Sequence, residues 1–353
     1  MSSFLAGLLV GAAITAGIAA VAVRLGAVQP AVLTPASSGS VVAASDDRTP
    51  RLLRLSHNLN REHPVHLGLE RFADLVLDRT GGRITIQIFP NGELGGETVT
   101  LEQLQSGTLD FAKASAAPLG SFSPDFSVFS VPYAFRGADH YWAVLNGPVG
   151  REILASLDGR GLHGLCYLDA GARSFYTAKS PILGPEDLRG LKIRVMESET
   201  AMDMVSAFGA APTPMAYAEL YSALQSGLVD GAENNPPSFY SSRHYEVAAH
   251  YTLNEHSRVP DVLIMSAKVW RDLEPSARAI IETAAAEASA YQRDLWTERT
   301  AEALDAVRDL GVEVRSTDLE DFAAVVAPLR ASYTGSRTGE LLERIDAVGR
   351  GGG

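Results

Sequence analysis

Arg194 is a charged residue inside an apolar, strand-like segment at positions 191–195. An arginine side chain does not lose its proton in a protein, so a buried arginine needs a negatively charged partner. That partner is either an acidic side chain, with Glu197 and Glu219 as candidates, or the carboxylate of a bound ligand. A strand would hold the planar guanidinium ready for two parallel hydrogen bonds to a carboxylate. The spacing alone does not decide between an internal ion pair and a ligand.

Asn234 stands at the carboxyl end of a predicted strand, at positions 229–233. Open α/β sheets bind ligands beyond the carboxyl ends of their strands. The side-chain amide of Asn234 is therefore a candidate contact for a ligand oxygen. We expect the neighbouring Asn235 to face in another direction.

Three histidines near the first predicted strand, His57, His63 and His66, raise the question of a metal site. Zinc needs three or four ligands in fixed geometry, and the sequence offers no quartet of Cys, His and Asp residues with suitable spacing. We therefore expect no metal and no other cofactor. An exported hydrolase or lyase that uses these three histidines remains an alternative to a binding function. A match to the dinucleotide motif at positions 159–164 follows a helix and precedes a strand, the reverse of the required order.

The elements that position these residues alternate between strands and helices, which predicts an α/β fold with parallel pairing. A second α/β unit begins near Gly171, and a helical pattern of about 35 residues begins at Pro275, with Tyr291 in its packed stripe. A kink or break within this pattern is equally compatible with the sequence. The predicted strands occupy positions 52–56, 84–89, 109–114, 162–168, 174–177, 191–195, 228–232 and 262–266. The other predicted helices occupy positions 64–77, 97–105, 139–157, 200–208 and 217–225.

The composition allows a large core and argues against a nucleic-acid partner. The chain has 353 residues, of which 46% are hydrophobic, and this length suggests about two domains. Its formal net charge is −12, and we find no basic cluster of the kind that binds phosphates. Such a protein needs an enclosed positive group to bind an anion.

The N-terminal segment at positions 1–28 reads as an export signal or an uncleaved membrane anchor. Positions 4–23 carry no charged residue, although the usual basic start of a signal peptide is missing. We prefer a cleaved signal. Positions 29–50 have the composition of a linker, which would also suit a domain tethered to a membrane.

Several short motifs follow one another in a fixed order along the chain. One is the segment DLRGLKIRV at 187–195, which contains Arg194. The others are FPNGELG at 89–95, LQSGTLD at 104–110, PTPM at 212–215, ELYSALQ at 219–225 and VDGAEN at 229–234. As a set, over roughly positions 51–340, they resemble the solute-binding proteins of tripartite ATP-independent periplasmic (TRAP) transporters.

The resemblance implies a two-domain periplasmic-binding-protein-like fold with a hinge and a long C-terminal helix across both domains. We predict that domain one comprises residues 51–171 plus 260–299. Domain two would comprise residues 172–259 plus 300–350. Closure of the domains would enclose the ligand.

The resemblance also implies roles for individual residues. An arginine at the position of Arg194 binds the ligand carboxylate in that family, so the resemblance favours a ligand over an internal ion pair. Arg173 corresponds to a second arginine near the ligand, but a salt bridge at the hinge is a stronger alternative. Tyr217 stands where the family has an aromatic wall, with a core tyrosine as the alternative. In domain one the resemblance points to Asn58 and Glu97.

Ser115 is a further candidate from domain one, and it replaces an acid of the sialic-acid binders. We therefore expect a ligand other than sialic acid. The alternative for Asn58, Glu97 and Ser115 is helix capping or exposed surface. His256 is expected to make a hinge hydrogen bond, and the sequence leaves ligand contacts of the histidines open.

The segments at 232–240 and 255–257 look most like those of receptors for sugar acids such as uronates. We therefore expect a small organic anion of this class as the ligand. A C4-dicarboxylate is the alternative, for which Arg173 would supply the second cation. The resemblance implies a periplasmic receptor that delivers its ligand to membrane permease subunits, and we expect a monomer. A sensor that feeds a membrane kinase is a further alternative.

Overall fold

The computed structural model describes residues 50–349, and the predicted export segment and nearly all of the predicted linker lie outside them. The strands in this part are β1 (Arg51–Ser56), β2 (Ile84–Phe89), β3 (Phe111–Ser115), β4 (Leu162–Leu168), β5 (Arg173–Thr177), β6 (Lys192–Val195), β7 (Ala211–Pro214), β8 (Gly231–Asn234), β9 (His250–Ser257), β10 (Asp261–Ser266) and β11 (Glu313–Ser316).

The α-helices between the strands are α1 (Pro64–Arg79), α2 (Glu97–Ser106), α3 (Ala116–Leu119), α4 (Ala138–Leu145), α5 (Pro148–Ala155), α6 (Glu199–Ala207), α7 (Leu220–Ser226), α8 (Pro236–Ser241), α9 (Ala267–Arg271), α10 (Pro275–Asp309), α11 (Leu319–Ser332) and α12 (Arg337–Ala347). Short 3-10 helices cover Pro124–Ser130, Pro185–Leu188, Tyr217–Glu219 and His244–Glu246. Among the helices of residues 50–349, none has the length and apolar character needed to cross a membrane.

The strands form two mixed sheets, and the predicted α/β class is confirmed. The first sheet has the order β2-β1-β3-β10-β4, and the second has the order β11-β9-β5-β8-β6-β7. The predicted parallel pairing holds for β1 with β2 and β3, and for β6 with β7 and β8. The strands β5 and β10 instead run antiparallel to their neighbours, so both sheets are mixed.

The long helix predicted from Pro275 is present as α10, with Pro275 in its first turn, where the missing N–H costs no hydrogen bond. It packs against α1 of the first sheet's layer and against α8 of the second's. Tyr291 does not belong to the packed stripe as predicted, because 46% of it is exposed. The buried side chains next to it in α10 are instead those of Gln292 and Trp296, while Ile281, Ala284, Ala288 and Ala303 are buried as predicted.

Gln292 is buried because it satisfies polar backbone atoms at the crossover between the sheets. Its amide donates to the carbonyl of Asp169 at 2.9 Å and accepts from the N–H of the same residue at 2.7 Å. Gly68 of α1 lies directly against it, and a Cβ there would stand 2.7 Å from the Gln292 Cβ. The two helices therefore approach closely at this point.

A single helix predicted over 139–157 is in fact two, α4 and α5. The break falls at Gly147 and Pro148, where Gly147 caps the start of α5 and Pro148 takes its first position. Proline has no N–H to continue a preceding helix and is favoured in a first turn, which explains the break.

The last two helices pack on different layers. α11 lies against α6 and β9 of the second sheet's layer. α12 packs against α5 and the 3-10 helix at Pro124–Ser130, and its Leu341 and Ile345 join the apolar core under the first sheet. We propose that α12 belongs with domain one, while the remaining division stays as predicted from the sequence.

Candidate functional site

A cavity of about 580 Å³, counted with the space at its mouth, lies where strand ends from both sheets meet. The parallel strands β1, β3, β6 and β8 point their carboxyl ends toward it, and the antiparallel strands β5 and β10 begin there. All seven residues predicted as ligand contacts line this cavity, namely Asn58, Glu97, Ser115, Arg173, Arg194, Tyr217 and Asn234. Their role in binding stays a prediction.

The cavity has two sides of different chemistry. We call the side built from elements of the first sheet the first wall, and its polar residues are Asn58, Glu97, Lys113, Ser115 and Asp261. The side built from elements of the second sheet is the second wall, with the polar residues Arg173, Arg194, Glu197, Tyr217, Asn234, Asn235 and Ser238.

Arg194 lies in β6 and is only 2% exposed. Its Nε and Nη2 both donate to the carbonyl oxygen of Met215, at 3.1 and 2.8 Å, rather than to Glu197 or Glu219. Within the described part of the chain, its Nη1 has no hydrogen-bond partner. Burial lowers the pKa of Arg194, but a guanidinium remains charged at any physiological pH. The second wall thus holds a buried positive charge with an unused donor group.

Arg173 opens β5 and is paired with Glu233 of β8. Its Nη2 donates to Oε1 of Glu233 at 2.9 Å, and its Nε donates to Oε2. Its Nη1 donates to Oδ1 of Asn234 at 2.9 Å. Burial raises the pKa of Glu233, but Arg173 and the hydrogen bond from His256 outweigh that effect and bring this pKa to about 2. Arg173 therefore has the internal ion pair that the sequence left as its stronger alternative.

Asn234 and Asn235 differ in how their side chains are used. Oδ1 of Asn234 accepts from Arg173 and from the N–H of Asn235, and these contacts leave the amide NH₂ group unused. Oδ1 of Asn235 accepts from the N–H of Ser238 and so caps α8. Both residues line the cavity, which the sequence indicated for Asn234 alone.

Tyr217 supports the guanidinium of Arg194 from one side. The Cζ of Arg194 is 5.7 Å from the centre of the Tyr217 ring, within the range of a cation–π contact. The Tyr217 hydroxyl lies 2.7 Å from Oγ of Ser242 and donates to the carbonyl of Ser238 at 3.3 Å. The ring is therefore held in place from its far end.

The first wall is organised around Lys113, which sequence reasoning missed. Lys113 lies in β3 and is 3% exposed. Its Nζ lies 3.0 Å from Oε1 of Glu97 and 3.0 Å from Oδ1 of Asp261, and it donates to Oδ1 of Asn58 at 3.3 Å. Oε1 of Glu97 also accepts from the N–H of Ser115 at 3.0 Å.

The charges of the first wall influence one another. Burial lowers the pKa of Lys113, but the carboxylates of Asp261 and Glu97 outweigh it and leave this pKa above its ordinary value. Burial raises the pKa of Asp261 to about 6, with Lys113 acting against the rise and Glu97 adding to it. At neutral pH the wall thus carries one ammonium and two carboxylates.

The histidines lie beside the cavity, not in its lining. Nε2 of His57 contacts Nδ1 of His66 at 2.9 Å, and Nε2 of His63 contacts Oγ of Ser238 at 3.1 Å. Burial, together with Lys113, holds the pKa of His57 and of His63 far below the ordinary value, so both rings are neutral. Among residues 50–349 no group of three or more His, Cys, Asp or Glu side chains is arranged to hold a metal ion.

His256 makes the internal contacts expected of it. Its Nε2 is 3.4 Å from Oε2 of Glu233, and its Nδ1 is 3.1 Å from Oδ1 of Asn254. Its ring stacks on Phe175 with 4.4 Å between the centroids. His256 thus supports Glu233 from behind the second wall.

Contacts between the two walls close the rim of the cavity. Oγ1 of Thr98, on α2, donates to Oε2 of Glu197 at 2.8 Å, and Nδ2 of Asn60 donates to the carbonyl of Ser241. The contact of His63 with Ser238 is a third such bridge. Glu197 lines the cavity with an exposed side chain, so its charge lies at the rim.

The charged residues missed by sequence reasoning are Lys113, Asp261 and Glu233. Lys113 sits between alanines in the run Phe111–Ser115, as Arg194 sits in its own apolar run. The same argument about a buried charge would have identified it. Asp261 meets Lys113, and Glu233 meets Arg173, only because strands more than 55 positions apart in the sequence lie side by side in the sheets.

Comparison with known proteins places these features in a family. A model of the family described as DctP, bacterial extracellular solute-binding protein, family 7, matches residues 55–336. A TRAP periplasmic solute-binding protein from Bradyrhizobium sp. btai1 b, solved in complex with α/β-D-galacturonate, is 40% identical with a TM-score of 0.81, covering 84% of this chain and 99% of that chain.

Two other proteins extend the comparison. A TRAP periplasmic solute-binding protein from Xanthobacter autotrophicus Py2 with bound β-D-galacturonate is 38% identical with a TM-score of 0.81, covering 84% of this chain and 99% of that chain. The C4-dicarboxylate-binding periplasmic protein DctP of Rhodobacter capsulatus is 31% identical over 302 residues, which cover 84% of this chain and 88% of that protein.

Proposed function

The chain belongs to the DctP family of bacterial extracellular solute-binding proteins, and on that premise we propose that it binds a small sugar acid, such as a uronate, with the ligand carboxylate on Arg194. The predicted identity as a TRAP-type solute receptor, and not an enzyme, is confirmed by the family. The predicted two-domain α/β fold is likewise confirmed by the solved relatives. The alternative of an exported hydrolase based on His57, His63 and His66 is therefore wrong.

One observation carries the proposal for Arg194. Its guanidinium is buried in the cavity wall, its Nη1 lacks a hydrogen-bond partner in the described residues, and neither candidate acid pairs with it. An unpaired buried charge costs several kcal/mol, on the order of 3 to 5. A carboxylate that enters the cavity relieves this cost through a charge-assisted hydrogen bond. Recognition of the anion is thus the part of the function that the second wall supplies.

Polar groups on both walls suit the rest of a sugar acid. The Asn234 amide has an NH₂ group outside its internal contacts, and Asn58, Glu97 and Ser115 offer oxygen atoms on the opposite side. Hydroxyl groups both donate and accept, so a polyhydroxy acid matches such a lining. The solved relatives with bound galacturonate support this choice of ligand class.

A C4-dicarboxylate remains the second candidate, because the Rhodobacter capsulatus relative is named for that ligand. It would require a second cation, and the sequence pointed to Arg173. The donors Nε and Nη2 of Arg173 bind Glu233, and its Nη1 binds Asn234, so this arginine offers less to a ligand than Arg194 does. We therefore favour the sugar acid.

The family is extracytoplasmic and works with membrane permease components. We propose that this receptor acts as a monomer in the periplasm. Closure of the two domains on the ligand would present a surface that the permease recognises. We propose that the N-terminal segment is cleaved on export. Mass spectrometry of the mature protein would identify its N-terminal residue, and an intact N-terminus would instead indicate a membrane tether.

A thermal-shift and calorimetric titration with D-galacturonate tests the ligand proposal. Ligand that binds only the folded state raises the melting temperature. We expect Arg194→Ala to lose this shift and at least about 100-fold in affinity, because it removes the charged partner of the carboxylate. Arg160→Ala, which changes an exposed arginine away from the cavity, should keep wild-type affinity. Undiminished binding by the Arg194→Ala protein would contradict the proposal.

A further inference from the structure

We propose that Lys113, Glu97 and Asp261 form a self-paired charge triad that rejects a second carboxylate, so that the receptor selects polyhydroxy monocarboxylates over dicarboxylates. This inference rests on the proposed function, in which Arg194 binds the first carboxylate. It assigns to the first wall a selective role of its own.

The ammonium of Lys113 has no donor left for a ligand. An ammonium group has three N–H donors and no acceptor. The Nζ atom has three oxygen neighbours, namely Oε1 of Glu97 at 3.0 Å, Oδ1 of Asp261 at 3.0 Å and Oδ1 of Asn58 at 3.3 Å. These three neighbours match the three donors. A positive charge lies in this wall, but it is fully occupied by the protein.

The two carboxylates, in contrast, keep acceptor capacity. The contacts with Lys113 use Oε1 of Glu97 and Oδ1 of Asp261, so each carboxylate has a second oxygen outside these contacts. An ionised carboxylate accepts hydrogen bonds and cannot donate them. Hydroxyl groups of a ligand satisfy such oxygens, whereas a ligand carboxylate brings only further acceptors.

The charge balance of the first wall adds repulsion to this mismatch. One ammonium faces two carboxylates, so the wall has an excess of one negative charge at neutral pH. The three side chains are nearly buried, with exposures of 3% for Lys113, 12% for Glu97 and 8% for Asp261. Electrostatic repulsion is weakly screened in such a place. A built-in repulsive element of this kind is an effective way to exclude a competing ligand.

The other charges around the cavity do not reverse this balance. Arg173 is compensated by Glu233, and Glu197 adds a negative charge at the rim. Arg194 is thus the positive group without an acidic partner among the charged residues that line the cavity in the described chain. A ligand with one carboxylate at one end and hydroxyls at the other fits both walls.

A pair of acids that differ in one group tests the inference on the unmodified protein. D-Galacturonate has one carboxylate, and galactarate has the same carbon chain with a carboxylate at each end. We expect calorimetry of the wild-type protein to give at least about 30-fold tighter binding of galacturonate. Equal affinity for the two acids would overturn the triad as a selective element. Succinate provides a shorter dicarboxylate for the same comparison.

Neutral variants of the triad test its cause. We expect Glu97→Gln and Asp261→Asn each to weaken galacturonate binding and strengthen galactarate binding, so that the ratio of the two affinities falls at least about 10-fold. Glu102→Gln, on the exposed face of the same helix as Glu97, is the matched control and should keep the wild-type ratio. Circular dichroism and melting curves identify a variant that fails to fold. The wild-type comparison does not depend on such variants.

The outcomes separate the two proposals. If no organic acid binds the wild-type protein, or if Arg194→Ala binds galacturonate normally, the proposed function fails and this inference falls with it. If galacturonate binds through Arg194 but the folded triad variants keep the wild-type affinity ratio, only the inference about the triad is refuted.

Discussion

The two walls of the cavity each bury a cation in a short strand, yet they use it in opposite ways. Lys113 in the first wall meets three oxygen atoms of the protein. Arg194 in the second wall directs two of its nitrogens to one carbonyl oxygen and leaves the third without a partner in the described chain. The comparison teaches that the groups around a buried cation decide whether it stabilises the fold or is available to bind a ligand.

The largest expected effect is a contrast in stability between Lys113→Met and Arg194→Met. Removing Lys113 leaves two buried carboxylates without their partner, so the free energy of unfolding should fall by about 3–5 kcal/mol. Arg194→Met relieves the cost of an unpaired buried charge but also removes the hydrogen bonds to the carbonyl of Met215, so the free energy of unfolding should stay the same or rise. Chemical denaturation without ligand measures both. Equal losses for the two variants would break the comparison.

The second prediction concerns Glu233, which supports the second wall. Its pKa lies at about 2 in the folded protein against an ordinary value of 4.5. The stability that it contributes is present above pH 4.5 and is lost as the pH falls toward 2, on the order of 3 kcal/mol. Unfolding measured along this range should show a shallower acid loss for Glu233→Gln than for the wild type. An unchanged slope would show that Arg173 does not depress this pKa.

The third prediction has the opposite sign and concerns the first wall. The pKa of Asp261 is raised from 3.8 to about 6, so the folded protein holds a proton that the unfolded chain has already released. Its contribution to stability is present below pH 3.8 and is lost as the pH rises through 6. In Asp261→Asn this decline should disappear from the pH profile of unfolding. A profile identical to wild type would place this pKa near its ordinary value.

The smallest expected effect lies at the rim, where the walls meet. Thr98→Val removes the hydrogen bond to Glu197 but keeps the size of the side chain. Because an exposed hydrogen bond contributes about 0.5–1.5 kcal/mol, affinity should fall only a few-fold. The same variant should leave the ratio of galacturonate to galactarate affinity unchanged. A changed ratio would move part of the selectivity from the triad to the rim.

The difference between the walls also explains what the sequence allowed us to predict. Arg194 could be identified because a strand-like run surrounds it and its motif resembles a known family. The long helix α10 could be identified from Pro275 and its length, but the burial of Gln292 in place of Tyr291 depends on the backbone of Asp169, which lies 123 positions away. Periodicity along a helix carries no information about such a partner.

The sequence could not predict the ion pairs within the cavity walls, for the same reason. Glu233 meets Arg173 because β5 and β8 pair antiparallel, and Asp261 meets Lys113 because β10 enters between β3 and β4. Local patterns predicted the strands but not their order in the sheet. All seven candidate contacts nevertheless line one cavity. Local patterns indicated Arg194 and Asn234, and the resemblance to a known family supplied the other five.

The place of β10 has a consequence for how the protein is made. This strand occupies an inner position of the first sheet, with β3 on one side and β4 on the other, although it follows both in the chain by about 95 residues or more. A nascent chain that ends before Asp261 therefore lacks the strand that joins β3 and β4. It also lacks the carboxylate of Asp261, which pairs with Lys113 in the folded protein. The first sheet is completed late in synthesis, which keeps the nascent chain without a finished core for most of its length.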